Sequence, residues 1–309
     1  MPKSNRQSRQ FWVGFLLAAG LVLANTSGLR AFDHQIAESM VQNPLPPASP
    51  SVESSVLQVA KQVTVRILKN QGAGSGVIID RQGGTYTVLT CDHVVVSGSQ
   101  DQTYQILTPD GKTHWGRRRP MSGLQGLDLA VVEFTSSNPY QVAVLGNSED
   151  ISIGKPIYVA GFPNYQPRDD GGLHITHDWG LRAFRFTTGN LSMRLSGPTL
   201  QRGYQLAYTN ATIQGMSGGP VLNADGELIG IHGRGRVTIH GIETFRFTDG
   251  TLPSLELYEY MSPLSWAVPI SAFQRPLEPR PTGRPFSTDP TQPSLPATPM
   301  RQNPRPEKI

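Results

Sequence analysis

The 309-residue chain is long enough for one large domain or two small ones with a sizeable buried core. Its 32 Gly and 26 Pro favour a turn-rich architecture, and its one cysteine, Cys91, excludes an intramolecular disulfide. The net charge of +4 belongs to the ends. Residues 55–273 carry 17 Lys/Arg against 17 Asp/Glu, so the central part lacks the basic concentration a nucleic-acid binder needs.

In chain order, Lys3, Arg6 and Arg9 precede a 14-residue apolar run from Phe11 to Ala24. A basic cluster before such a run is the pattern of a secretory signal, and a bilayer span needs about 20 residues. Residues 1–31 are therefore expected to be a signal peptide, with cleavage after Ala24 or Ala31 and a secreted or periplasmic destination. Left uncleaved, this segment would be the only membrane contact. The Pro-rich stretch within 32–54 reads as a linker. A folded unit is expected over 55–273, and a Pro-rich, unfolded tail over 274–309, with ten prolines from Arg275 onward.

Inside the unit, short β-rich runs recur between turn signals. They include Val63–Leu68, Gly76–Ile79, Tyr86–Thr90, Leu129–Phe134, Ile157–Ala160, Leu181–Thr187, Tyr204–Thr209, Val221–Leu222, Leu228–His232 and Trp266–Ile270. Gln82-Gly83-Gly84, Asp110-Gly111 and Asp225-Gly226 mark the turns. This spacing predicts an all-β sandwich or barrel and not a βαβ fold. Val56–Val65 reads as a short helical lead-in, and a second helix follows Ser271. Trp115 with Arg117–Arg119 reads as a solvated loop.

Three segments carry chemistry. Gly215-Met216-Ser217-Gly218-Gly219-Pro220 is a glycine-rich turn in which Ser217 is a candidate nucleophile, and the Gly215 and Ser217 N–H groups are candidate oxyanion donors. His93 follows an apolar strand, where a rigid scaffold can hold a general base. Asp128 lies in Gly126-Leu127-Asp128-Leu129-Ala130-Val131-Val132. A carboxylate among apolar residues needs a partner, and an imidazole N–H supplies one. Asp92 adjoins His93, but neighbours on a strand face opposite ways, which favours Asp128. A Gly-rich hairpin turn, a satisfied core histidine and an inactive peptide-binding module are the bland alternatives.

Leu89-Thr90-Cys91-Asp92-His93-Val94, Asp128-Leu129-Ala130-Val131 and the Ser217 turn resemble the three signature segments of chymotrypsin-like serine proteases, in the order His, Asp, Ser. Gly74-Ser75-Gly76-Val77 is similar to the bacterial members, including the protease domain of high-temperature-requirement proteases. The resemblance implies two six-stranded antiparallel Greek-key barrels, about 55–145 and 146–273, with the active site in the cleft between them. It also implies a monomeric endopeptidase acting on protein or peptide substrates through an acyl-enzyme, with no cofactor or metal.

Met216 departs from the acid that animal trypsins use on activation, and only the Pro-rich tail follows where a caged stress protease carries a second domain. Ala211 stands where trypsin has its pocket acid. Leu228-Ile229-Gly230-Ile231-His232-Gly233 and Thr212 instead resemble the glutamyl endopeptidases. Thr212, His232 and Gly233 are thus candidate substrate-binding residues, with a preference for Glu or Asp at the cleaved position. Gly215-x-Ser217-x-Gly219 also fits an α/β-hydrolase elbow, but β-like Val221-Leu222 replaces the helix that fold needs after its serine. The polar run Asp169–Asp178 reads as a loop between strands, not a metal site.

Overall fold

The structure, a computed structural model, describes residues 51–69, 72–95, 103–236 and 241–275. The N-terminal segment through residue 50 and the tail from residue 276 lie outside the described residues.

The described chain opens with helix α1 (Val52–Val63), N-capped by Ser51, whose side chain accepts from the Ser54 N–H. Its apolar positions Val56, Ala60 and Val63 turn inward together, at the spacing of one helical face. The helix begins earlier than the apolar run alone suggests, because its first turn is polar and solvated.

Strands β1 (Thr64–Leu68), β2 (Ala73–Gln82), β3 (Thr85–Thr90), β4 (Thr103–Leu107), β5 (Thr113–Arg119) and β6 (Ala130–Thr135) close into one antiparallel barrel in the order β1-β2-β3-β6-β5-β4. A second barrel holds β7 (Pro156–Gly161), β10 (Arg185–Arg194), β11 (Leu206–Tyr208), β12 (Pro220–Leu222), β13 (Leu228–Arg234) and β14 (Ser265–Pro269), in the order β10-β11-β14-β13-β12-β7. A small hairpin, β8 (Tyr165–Pro167) with β9 (Leu173–Ile175), projects between β7 and β10. The fold is therefore the expected pair of six-stranded antiparallel barrels. Closure leaves neither sheet with an unpaired edge.

Three local expectations change. The Trp115–Arg119 stretch is strand β5 and not a loop. Its outer face carries Trp115, Arg117 and Arg119, which hides the alternation, while Gly116 faces in, where a Cβ would press on Ile106 and Val132. The Asp169–Asp178 run is not one loop, since β9 lies within it. Leu181–Ala183 ends a 3-10 segment, and the strand begins only at Arg185. Short helices α3 (Leu255–Met261) and α4 (Ile270–Gln274) flank β14.

The core of the first barrel is built from Val65, Ile67, Tyr86, Val88, Ile106, Val132 and Phe134, all buried. Tyr86 and Phe134 stack with centroids 5.2 Å apart. In the second barrel Trp266 is fully buried, donates its indole N–H to the Met261 carbonyl at 3.3 Å and meets Phe245 edge-on. Trp266→Ala should cost about 3–5 kcal/mol by urea denaturation, whereas Trp115→Ala, at a 64 % exposed position, should stay within about 0.5 kcal/mol.

Candidate active site

β3 ends at Thr90, and the chain turns into a one-turn helix, α2 (Asp92–Val95), whose Val94 and Val95 are buried. That turn aims His93 outward at the barrel junction, with its side chain 37 % exposed. The reason for preferring Asp128 over Asp92 therefore changes: the two neighbours lie on a helical turn, not a strand, and contact decides between them. Asp128 is fully buried just before β6. Its Oδ2 stands 2.7 Å from His93 Nδ1, and its Oδ1 accepts the His93 backbone N–H at 3.0 Å.

An ionised carboxylate only accepts, so Nδ1 carries the imidazole proton of the neutral ring and Nε2 is left as the basic nitrogen. Burial pushes the Asp128 pKa up. The hydrogen bond from the His93 ring, its charge, and bonds from Tyr204 and the His93 N–H outweigh that and hold the carboxyl below its ordinary value. Asp92 is engaged elsewhere, by Arg118 at 2.6 Å and Arg202 at 2.9 Å.

Ser217 comes from the second barrel, on the turn before β12. The turn is clamped to β2 of the first barrel. The Ser75 N–H donates to the Ser217 carbonyl at 2.8 Å, and Ser75 Oγ donates to the Gly215 carbonyl at 2.8 Å while accepting the Phe162 N–H at 2.8 Å. Gly218 has φ +88°, and a Cβ there would lie 2.0 Å from the Ser75 carbonyl oxygen. No other residue fits so close an approach in that left-handed conformation. Among the described residues the Gly215 and Ser217 N–H groups donate to no protein acceptor. Ser217 Oγ donates to the Gly233 carbonyl at 3.4 Å and makes no hydrogen bond to His93.

The three candidate substrate-binding residues differ in burial and partners. His232, on β13, is buried, with Nδ1 2.8 Å from the Tyr208 hydroxyl. Burial, then the charge of His93, lowers its pKa to about 3, so the ring is neutral at ordinary pH. Thr212 is partly exposed and bonds Ser265 Oγ at 3.0 Å. Ser265 spends its one hydroxyl proton on the Asn210 carbonyl at 2.9 Å, so Thr212 is the donor in that pair. Gly233 sits where a Cβ would stand 2.5 Å from the Tyr204 hydroxyl and 2.9 Å from Cys91 Sγ.

Sequence reasoning missed Tyr204 and Arg202. Both reach Asp128 from the second barrel, Tyr204 through its hydroxyl and Arg202 through Nη2, 2.7 Å from Oδ1. Only Gly233, a glycine within an apolar strand, signals a close approach in the sequence.

Cys91, His93 and Asp128 offer a sulfur, a nitrogen and an oxygen within 4.8 Å of one another, the one such cluster among the described residues. Burial pushes the Cys91 thiol well above its ordinary pKa, so it stays protonated and is a poor metal ligand. In the Asp169–Asp178 run, His177 pairs with its neighbour Asp178 at 3.0 Å and His174 lies against Trp179.

The depressed His232 pKa makes stability depend on pH. The unfolded chain takes up a proton near the ordinary 6.5 while the folded ring resists until about 3, so this contribution is complete above pH 6.5 and is lost as pH falls from there. Urea titrations between pH 6 and 4 should show stability falling by up to ~1.4 kcal/mol per pH unit through this group. His232→Gln, which can still bond Tyr208, should flatten that slope. An unchanged slope would remove His232 as its source.

A family model, the trypsin-like peptidase domain, matches residues 74–231, which spans the His93, Asp128 and Ser217 segments. Over 162 residues the chain is 28 % identical to the Serine protease Do-like HtrA of Bacillus subtilis, covering 52 % of this chain and 33 % of that protein. It is 30 % identical over 181 residues to the Serine protease Do-like HtrB of the same organism, covering 56 % and 35 %. It is 25 % identical over 195 residues to human Serine protease HTRA4, covering 62 % and 34 %. The chain thus spans about a third of the length of these relatives. With two closed barrels, a histidine–aspartate contact from one and a glycine-bracketed serine from the other, and a family match across half its length, the chain belongs to the trypsin-like peptidase domain family.

Proposed function

We propose that this protein is a serine endopeptidase that hydrolyses peptide bonds through an acyl-enzyme. The observation that carries the reading is the 2.7 Å contact between His93 Nδ1 and Asp128, which leaves Nε2 free to act as a base. Rotation of the Ser217 side chain off its long bond to Gly233 hands its proton to that nitrogen, and substrate tightens the arrangement. Ser217 Oγ then attacks the carbonyl carbon. The unengaged Gly215 and Ser217 N–H groups receive the oxyanion. The imidazolium protonates the leaving amine, and water, deprotonated by His93, releases the acyl group and restores Ser217. Asp128 stays ionised and fixes the tautomer throughout.

The substrate class is a protein or peptide. The partly exposed Thr212 hydroxyl supports a preference for Glu or Asp at the cleaved position: it turns its proton from Ser265 Oγ to the bound carboxylate, above the buried His232 on β13. Among the described residues no helix is long and apolar enough to cross a membrane. The basic and apolar N-terminal segment supports export. The mature N-terminus, read by sequencing, should follow Ala24 or Ala31, and sedimentation should give a monomer.

A fluorophosphonate should label the protein at Ser217, and Ser217→Ala should abolish labelling and lower peptide hydrolysis by about 10⁴-fold or more. A folded wild-type chain that resists the label would instead be an inactive peptide-binding module. Digestion of an unbiased peptide library should give cuts concentrated after Glu and Asp, and Thr212→Val should reduce that excess. Cuts spread evenly over residue types would end the pocket assignment.

A further inference from the structure

Asp128 belongs to the first barrel, yet two of its donors do not. The segment between β10 and β11 of the second barrel supplies the Tyr204 hydroxyl to Oδ2 and the Arg202 guanidinium to Oδ1. With the His93 ring on Oδ2 and the His93 N–H on Oδ1, the carboxylate accepts three hydrogen bonds and pairs with one cation. Both oxygens are thus engaged from two sides, which fixes the orientation of the group.

Resting on the reading of His93, Asp128 and Ser217 as a catalytic set, we propose that Tyr204 and Arg202 are positioning residues that strap the orienting acid from across the barrel junction.

Four features show a built arrangement. Arg202 is the only described non-glycine residue with positive φ, +69°, a conformation that persists only where surroundings impose it. Its carbonyl accepts the Asp128 N–H at 2.8 Å, so backbone and side chain grip the same residue. Its Nη2 also reaches Asp92 Oδ2 at 2.9 Å, tying both acids flanking His93 to one cation. Finally, the Tyr204 hydroxyl occupies space that a side chain at position 233 would take, and Gly233 leaves it open. Arg234 covers the phenol ring at 4.8 Å and is itself held by the Thr244 carbonyl. Burial, first among its causes, raises the Tyr204 pKa well above its ordinary value, so the phenol keeps the proton it donates.

The strap acts on charge as well as angle. The titratable and charged groups around Asp128 and His93 are Cys91 and Asp92 from their own barrel, and Arg202, Tyr204, His232 and Arg234 from the other. A cation and a phenol on the carboxylate draw off part of the charge that would otherwise stabilise the His93 imidazolium. Removing either leaves that charge on the carboxylate, facing the His93 ring.

The experiment is a pH profile of kcat/KM for the full chain and for Tyr204→Phe, Arg202→Met and Arg202→Lys, with near-UV circular dichroism as a check on folding. Tyr204→Phe and Arg202→Met should each lose about tenfold, in kcat more than in KM. Their acidic limb should move up by ~0.5 pH unit, with Arg202→Lys restoring most of the shift. The same upward shift should appear in the ¹⁵N-NMR titration of the His93 ring, measured in Ser217→Ala background where no turnover is needed. That measurement separates the two ideas: an unlabelled, inactive wild type sinks the peptidase reading, while the NMR midpoint still tests the strap. Arg202 is 44 % exposed, so its variants keep the test open if Tyr204→Phe fails to fold. A folded variant whose acidic limb and NMR midpoint both stay put removes that residue from the role.

Discussion

The site depends on one close approach, the backbone of Gly218 lying on the carbonyl of Ser75 with no space for a side chain. Around that point the Ser75 N–H reaches the Ser217 carbonyl, the Ser75 hydroxyl reaches the Gly215 carbonyl, and Thr90 Oγ1 closes on the Ser75 carbonyl at 2.6 Å. These are main-chain and short hydroxyl contacts, rigid and directional, and they join β2 of one barrel to the serine turn of the other. The Gly215 and Ser217 carbonyls are held in the clamp, while the N–H groups of the same two residues engage no acceptor among the described residues. The position of the serine is thus a property of the junction and not of the loop that carries it.

Asp128 shows how a costly group is kept in an apolar setting. Burial alone would favour its neutral form, and a neutral acid could not fix the tautomer of His93. Donors from both barrels reverse that preference. His232, in the second barrel, shows the opposite outcome: burial, with the charge of His93 adding to it, leaves the ring neutral, bonded to the Tyr208 hydroxyl. Hydrogen-bond donors hold one buried group ionised, while burial and a like charge hold the other neutral.

Much of this was legible in the sequence, because the segments around His93, Asp128 and Ser217 are contiguous and chemically marked. The barrel strands were legible where one face is buried against an apolar core, as in β1, β3 and β6. Strand β5 was not, because its outward face carries Trp115, Arg117 and Arg119 while Arg118 and Gly116 stand on the other, so no apolar alternation marks a two-residue period. Strand alternation favours Asp128 over Asp92, but His93 sits on a helical turn, and Asp128 meets it through tertiary contact. Arg202 and Tyr204 left no local trace, since their role exists only once β10–β11 has packed against the first barrel. Nothing in Gln201-Arg202-Gly203-Tyr204 announces that partner.

The buried Cys91 has a use apart from packing. Its Sγ donates to the His232 carbonyl at 3.2 Å, across the same junction, and it is the only cysteine in the chain. A shielded, protonated thiol is unreactive toward alkylating reagents. Each modification event therefore records a moment when the packing around this thiol has opened, and the rate of that chemistry is a natural clock for such openings beside the junction.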